Sequence, residues 1–142
     1  DVFEEICKLE LPALEYLELW MGKNPYLSEY GISEFISIFY NIFPKLKYLG
    51  LRNYDHEYPD NIAFAIANSP ICKNLVELDI SIGKMTDEGG HALLECAAVR
   101  QLDTLNISHN CLSDEVVKKL NQLDIEVISE MQKPYRYWST YE

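Results

Sequence analysis

The 142-residue chain lacks any apolar run approaching the ~18 residues that a membrane-crossing helix requires. A membrane span is therefore not expected, and neither is a membrane partner. No basic-then-apolar leader opens the sequence, so no signal peptide is visible. The first residue is Asp1 rather than Met, which makes the chain read as part of a longer protein. Basic residues are scarce: 12 Lys and Arg stand against 23 Asp and Glu, for a net charge of −11. Nucleic acid is a polyanion and is repelled by such a surface, so it is not an expected partner. Phosphate ligands are disfavoured on the same ground, and a neutral or basic protein partner fits better.

Cysteine is also sparse. Cys7, Cys72, Cys96 and Cys111 form no C-x-x-C pair and no dense framework, which argues against a structural zinc site or a disulfide scaffold. Reduced, partly buried thiols in a cytoplasm are the expectation. Gly89-Gly90 lacks the Lys and the second spaced glycine of a phosphate loop.

What the chain does have is a repeat. The pattern L-x-x-L-x-L recurs as Leu14, Leu17, Leu19; Leu46, Leu49, Leu51; Leu75, Leu78, Ile80; and Leu102, Leu105, Ile107. The last two copies agree further. Leu78-Asp79-Ile80-Ser81 matches Leu105-Asn106-Ile107-Ser108, and Met85-Thr86-Asp87-Glu88 matches Leu112-Ser113-Asp114-Glu115, both in one register. Alternating apolar positions predict strands with one buried side. Thr86 and Ser113 predict helix starts. Each hydroxyl is placed to accept from an orphan N–H, and the acids behind it suit the positive end of the helix dipole.

Helices are predicted at about 29–41, 60–68, 87–96 and 114–121. Their inward stripes are Ile32, Phe35, Ile36, Phe39; Ile62, Ala65, Ile66; Leu93, Leu94, Ala97; and Val116, Val117, Leu120. Ile125 and Val127 suggest a fifth strand, with Ser129 at its end. Strand–helix–strand units of this kind need right-handed crossovers. Stacked, they predict an α/β leucine-rich-repeat solenoid: a right-handed horseshoe with a curved parallel sheet of four to five strands and helices on the convex face. The whole chain, 1–142, reads as one such domain, the C-terminal part of a longer solenoid. Phe3, Ile6, Leu9 and Leu11 read as a helix and turn of a preceding repeat. Residues 129–142, with Tyr135, Tyr137 and Trp138, read as a capping tail over the open end of the core.

The helix-backed units with Thr/Ser-Asp-Glu starts resemble the ribonuclease-inhibitor type of leucine-rich repeat. Leu17-Glu18-Leu19-Trp20-Met21-Gly22, Tyr48-Leu49-Gly50-Leu51-Arg52-Asn53, Leu78-Asp79-Ile80-Ser81-Ile82-Gly83 and Ser108-His109-Asn110-Cys111-Leu112-Ser113-Asp114-Glu115, with Arg136-Tyr137, resemble a bacterial repeat family of uncharacterised function. The resemblance covers nearly the whole chain from Leu11. It implies a cytoplasmic bacterial protein, N-terminally longer relatives, some with a WGR-type domain absent here, and no catalytic residues. The chain departs from the repeat consensus at the Asn position. Only Asn110 keeps it, while Gly22, Tyr54 and Gly83 stand there in the other copies.

Period two also fixes the outward residues: Tyr16, Glu18, Trp20; Tyr48, Gly50, Arg52; Glu77, Asp79, Ser81; and Thr104, Asn106, Ser108, with Glu126 and Ile128 from a fifth strand. Tyr16 should neighbour Tyr48, and Trp20 should neighbour Arg52, with Gly50 leaving a dent. Trp, Tyr and Arg dominate binding hot spots. The expected partner site is therefore Tyr16, Glu18, Trp20, Tyr48, Arg52, Glu77 and Asp79. The same residues also suit a simple aromatic pair and a stacked guanidinium.

Signals for chemistry are thin. His91, Glu95 and Glu88 share a helix face but lack a third firm ligand. Asp55-His56-Glu57-Tyr58 with Asp60 suits a turn into a helix. His109 and Cys111 fall on one side of a strand end without an orienting group. Glu77, Asp79 and Glu126 read as a solvated acidic face rather than a cation site. The expectation is a binding scaffold rather than an enzyme, with no cofactor. The other reading is a structural or regulatory segment that docks a neighbouring domain of its own chain.

Overall fold

The computed structural model describes residues 2–23 and 31–133. Among them the order is α1 (Val2–Cys7), β1 (Tyr16–Gly22), α2 (Ile32–Ile42), β2 (Tyr48–Tyr54), α3 (Asn61–Ala67), β3 (Glu77–Asp79), α4 (Asp87–Glu95), β4 (Thr104–Asn106), α5 (Asp114–Asn121) and β5 (Glu126–Ile128). Short 3-10 turns at Pro70–Lys73 and Ala97–Gln101 lead into β3 and β4. The chain is α/β. Its five strands are parallel and lie in sequence order, each beside the next. Parallel neighbours need a crossover between them, and α2 to α5 supply it.

The register follows the spacing of the leucines. Leu17 pairs with Leu49, Leu49 with Leu78, Leu78 with Leu105, and Leu105 with Val127. This column turns inward, and Leu49, Leu78 and Leu105 are fully buried. The strand entrances are tied by shared carbonyls. Glu15 O accepts from Lys47 N and Tyr48 N, Lys47 O from Val76 N and Glu77 N, and Val76 O from Asp103 N and Thr104 N.

Facing the column is the helix layer. Ile36, Phe39, Ile66, Leu93 and Leu120 are buried completely, and α2–α3, α3–α4 and α4–α5 pack in succession. Each such side chain contributes about 1.5–3 kcal/mol of transfer free energy. α1 packs on α2 as the start of the same layer, while Leu9 and Leu11 behind it are exposed.

Several local expectations need correcting. Ala97 is exposed. α4 ends at Glu95, and the turn that follows puts Val99 into the core instead. Leu94 and Val117 are only partly buried. Thr86 occupies the start of α4, but its hydroxyl caps no helix N–H. It donates to Asp60 Oδ2, and Thr86 N donates to Asp60 Oδ1 at 2.7 Å. A carboxylate is the stronger acceptor partner, so it captures the hydroxyl across 26 residues.

Asp87 repeats the move and accepts from Ser113 N at 2.8 Å. Ser113 does cap, accepting from Val116 N at 3.3 Å. In these two units the acid at one helix start thus fixes the start of the next helix. The predicted start of α2 near Glu29 and the tail aromatics Tyr135, Tyr137 and Trp138 lie outside the described residues. Residues 129–133 continue the last turn, where Glu130 O accepts from His109 N and Lys133 N donates to Asn110 O.

Candidate functional site

The outward sheet face brings the seven predicted residues together. Tyr16 pairs with Tyr48 and Trp20 with Arg52 along β1 and β2, and Tyr48 pairs with Glu77 along β3. The Tyr16 and Tyr48 rings stack at 4.1 Å with a 5° interplanar angle. The Arg52 guanidinium lies over Trp20, 4.9 Å from the ring centroid. Both outer aromatics remain open to solvent: Tyr16 and Trp20 are each 59% exposed.

Beneath them runs a polar network. Tyr48 Oη donates to Glu18 Oε1 at 2.8 Å and lies 3.4 Å from Asp79 Oδ2. Arg52 Nε donates to Ser81 Oγ at 3.1 Å and sits 3.6 Å from Asp79 Oδ2, and its Nη1 is 3.8 Å from Glu18 Oε1. Asp79 is only 6% exposed although it points away from the core. Its Oδ1 is also used, accepting from Ser81 N at 3.0 Å. Tall neighbours shield it, and Arg52 supplies the counter-charge that a buried carboxylate needs.

Gly50 does not leave a dent. A Cβ there would stand 2.8 Å from Tyr48 Oη and 3.0 Å from Glu18 Cγ. The space a side chain would fill is taken by the Tyr48–Glu18 bond, so glycine is what allows the two side chains to meet.

Electrostatics on this face is unbalanced. Among the described residues this face carries Glu18, Glu77, Asp79 and Glu126, on β1, β3 and β5, against one guanidinium, Arg52. The Glu77 carboxyl is pushed above its usual range, first by burial and then by the charges of Asp79 and Glu126. The Tyr48 hydroxyl is pushed far up by burial, by its bond to Glu18 and by Asp79. The network therefore holds the Tyr48 proton firmly, and the phenol acts as a fixed donor.

The other candidates do not assemble. His109 is exposed while Cys111 is buried. The left-handed backbone at His109, φ 58°, turns the chain between them and separates the two side chains. His91 and Glu95 are exposed on α4, and among the described residues no three His, Cys, Asp or Glu side chains gather as a metal site. The loop after β2 packs on itself: His56 stacks on Tyr54 at 5.7 Å and accepts from Tyr58 N through Nδ1 at 3.2 Å. Cys72 is buried, and burial pushes its thiol up to about 12, away from the range of a reactive thiolate.

A second feature went unread in the sequence. A cavity of about 360 Å³ opens at the carboxyl ends of the strands, lined by Tyr54, Asp55, Ile82, Lys84, His109 and Lys133 among others. The signal for it is positional. Asn53, next to last in β2, and Ile82, His109 and Met131, which come after β3, β4 and β5, each take a left-handed φ of 56–60°. Loops that turn at equivalent points line up along one rim.

No known protein family matches the chain, and no curated protein does. The chain is similar to a structural-genomics crystal structure of a Bacteroides fragilis protein, with 29% identity and a TM-score of 0.77. The match covers 94% of this chain and 38% of the other, so the chain spans under two-fifths of that protein's length. Within the described residues, no helix is long and apolar enough to cross a membrane.

Proposed function

We propose that the chain is a leucine-rich-repeat segment of the ribonuclease-inhibitor type, curved as a right-handed horseshoe, that binds a protein partner on its outward sheet face. The sequential parallel strands and the Leu17–Leu49–Leu78–Leu105 column support the repeat reading. One observation carries the binding reading: two large aromatics stay 59% exposed on a base that is already rigid. Tyr16 is held by stacking on Tyr48, and Trp20 by Arg52. Such preorganisation lowers the ordering entropy lost on docking.

The partner is basic. Four carboxylates against one guanidinium make this face negative, in keeping with the chain's −11 charge, and complementary charge speeds encounter. The association rate should fall steeply as salt rises, because exposed charges are screened within about 10 Å at 0.1 M. A salt-independent rate would contradict the electrostatic part. No catalytic role is assigned.

The match to less than half of a longer protein favours a second reading, in which the partner is another domain of the same, longer chain. Both readings place the contact on the same face.

The test is partner capture by the full-length protein with Tyr16→Ala and Trp20→Ala. Both side chains protrude, so capture should be lost while the melting curve stays close to the parent's. Arg52 is the wrong variant for this purpose. Its loss leaves the shielded Asp79 without its counter-charge, at a cost of about 1–3 kcal/mol. Undiminished capture by the double variant would reject the site.

A further inference from the structure

The turns at Pro70–Lys73 and Ala97–Gln101, which lead from α3 into β3 and from α4 into β4, pack on each other. Cys72 and Val99 hold the same place in them. Each comes five residues before one of the paired strand residues Glu77 and Thr104, and both are fully buried. Cys96 stands one turn before Val99, whose N–H donates to Cys96 O at 3.1 Å. The Cys96 side chain reaches back into the preceding unit, where its Sγ donates to Ala67 O at 3.8 Å. That is the unit that carries Cys72.

Both cysteines are free thiols, and they differ in access. Cys96 is half-buried and lines an open groove with Ala67, Ser69, Lys73 and Glu95 among others. Cys72 has no exposure at all. Burial lifts the Cys72 thiol to about 12, and the charge of Cys96 adds to the rise. Such an influence weakens with separation, so it marks the two sulfurs as near neighbours, in agreement with the packed turns. An S–H group is a weak donor, so the contact with Ala67 O does little to hold Cys96 away from Cys72.

We infer that Cys96 and Cys72 form a peroxide-responsive pair, in which Cys96 takes the oxidant and Cys72 closes a disulfide between two units. The Cys96 sulfur, once it has shed its proton, attacks one oxygen of hydrogen peroxide. The O–O bond breaks, the departing hydroxide takes the shed proton and leaves as water, and Cys96 becomes a sulfenic acid. The Cys72 sulfur then attacks the Cys96 sulfur. The S–O bond breaks, and the hydroxide leaves as water with the Cys72 proton. Two thiols and one peroxide thus give one disulfide and two waters, and the thiols supply both electrons. A thiol that holds its proton as firmly as Cys72 is a poor first nucleophile. Here it meets an electrophile fixed beside it, and proximity replaces encounter. The bond ties the β3 unit to the β4 unit through their turns, and a dithiol reductant reopens it. The pair does not depend on the function proposed for the sheet face.

The test is thiol counting and disulfide mapping on the full chain, treated with equimolar hydrogen peroxide and alkylated before digestion. The four free thiols should fall to two without any bond between chains. The digest should contain one joined pair of peptides, those of Cys72 and Cys96, and dithiothreitol should restore all the thiols. Cys96→Ser should leave Cys72 reduced, because peroxide reaches it only through Cys96. Cys72→Ala should stop at the sulfenic acid on Cys96, which dimedone traps. Mapping of the parent chain decides the question even where Cys72→Ala fails to fold. Survival of all four thiols, a Cys96–Cys96 bond between chains, a bond to Cys7 or Cys111, or oxidation of Cys72 in Cys96→Ser would each overturn the pairing.

Discussion

Asn110 and Gln132 make the same bonds one unit apart. Asn110 Oδ1 accepts from Met85 N at 3.1 Å, and its Nδ2 donates to Ile80 O at 3.1 Å and Ile107 O at 3.0 Å. Gln132 Oε1 accepts from Leu112 N at 3.1 Å, and its Nε2 donates to Ile107 O at 2.8 Å. Met85 and Leu112 occupy equivalent places, as do Ile80 and Ile107. Each amide reaches back into the preceding unit and satisfies backbone groups that have left the sheet ladder but are shielded from water.

Removing either amide should leave buried backbone groups without partners. Asn110→Ala is expected to cost about 2–4 kcal/mol, since an orphaned buried group costs ~1–3 kcal/mol and more than one is exposed here. Gln132→Ala is expected to cost about 1–2 kcal/mol, because it lies nearer solvent. Urea unfolding midpoints at constant slope check both. A neutral Asn110→Ala would mean that the amide is not the tie between units.

Gly83 and Asn110 should show strong coupling. A Cβ on Gly83 would come within 2.8 Å of Asn110 Oδ1. Gly83→Ala is therefore expected to lose about 1–3 kcal/mol by overpacking. In an Asn110→Ala background the same change should cost under about 1 kcal/mol, a coupling read from the double-mutant cycle. Additive costs would show that the contact relaxes freely.

The alkaline limb of stability follows from three raised groups. Burial lifts the Tyr54 hydroxyl from 10.0 to about 12 and the Cys72 thiol from 9.0 to about 12. Tyr48 is lifted further, by burial and by Glu18 and Asp79. The folded state holds these protons after the unfolded chain has released them. Their stabilisation is complete below the unfolded values and is lost as pH rises from about 9 toward the folded values. The unfolding free energy should fall from about pH 9 and more steeply above 10. Tyr54→Phe and Cys72→Ala should each flatten the slope. An unchanged slope in both would contradict the assignment.

Glu77 follows the same sign at lower pH. Its carboxyl is raised by burial and by Asp79 and Glu126, so its stabilisation is present at low pH and lost as pH rises through the folded value. Glu77→Gln should therefore stabilise the protein at neutral pH. The gain should stay under about 1 kcal/mol, because the group is partly solvated and screened. It should vanish below the unfolded value of 4.5. Paired melts at neutral and acid pH check the sign.

The sheet was legible because its register depends on the recurring L-x-x-L-x-L pattern rather than on the length of chain between copies. Leu17, Leu49, Leu78 and Leu105 mark the same point in each unit, so Tyr16 against Tyr48 and Trp20 against Arg52 follow from counting by twos. Gln132 was not legible, since its unit is shorter and a longer amide reaches the same carbonyl from a different offset. Gly50 misled because a missing side chain was read as open space, whereas Tyr48 and Glu18 lean across it. Thr86 misled because local capping competes with Asp60, which is distant in sequence and adjacent in space. The cavity needed four loops to converge, and none of them carries a motif alone.

The most direct test of the account is photo-crosslinking from the full-length protein, with a photoreactive phenylalanine at position 16 on the sheet face or at position 91 on the exposed side of α4. The account predicts that the partner, or the neighbouring domain of the longer chain, is trapped from position 16 and not from position 91. Trapping from 91 with none from 16 would contradict it.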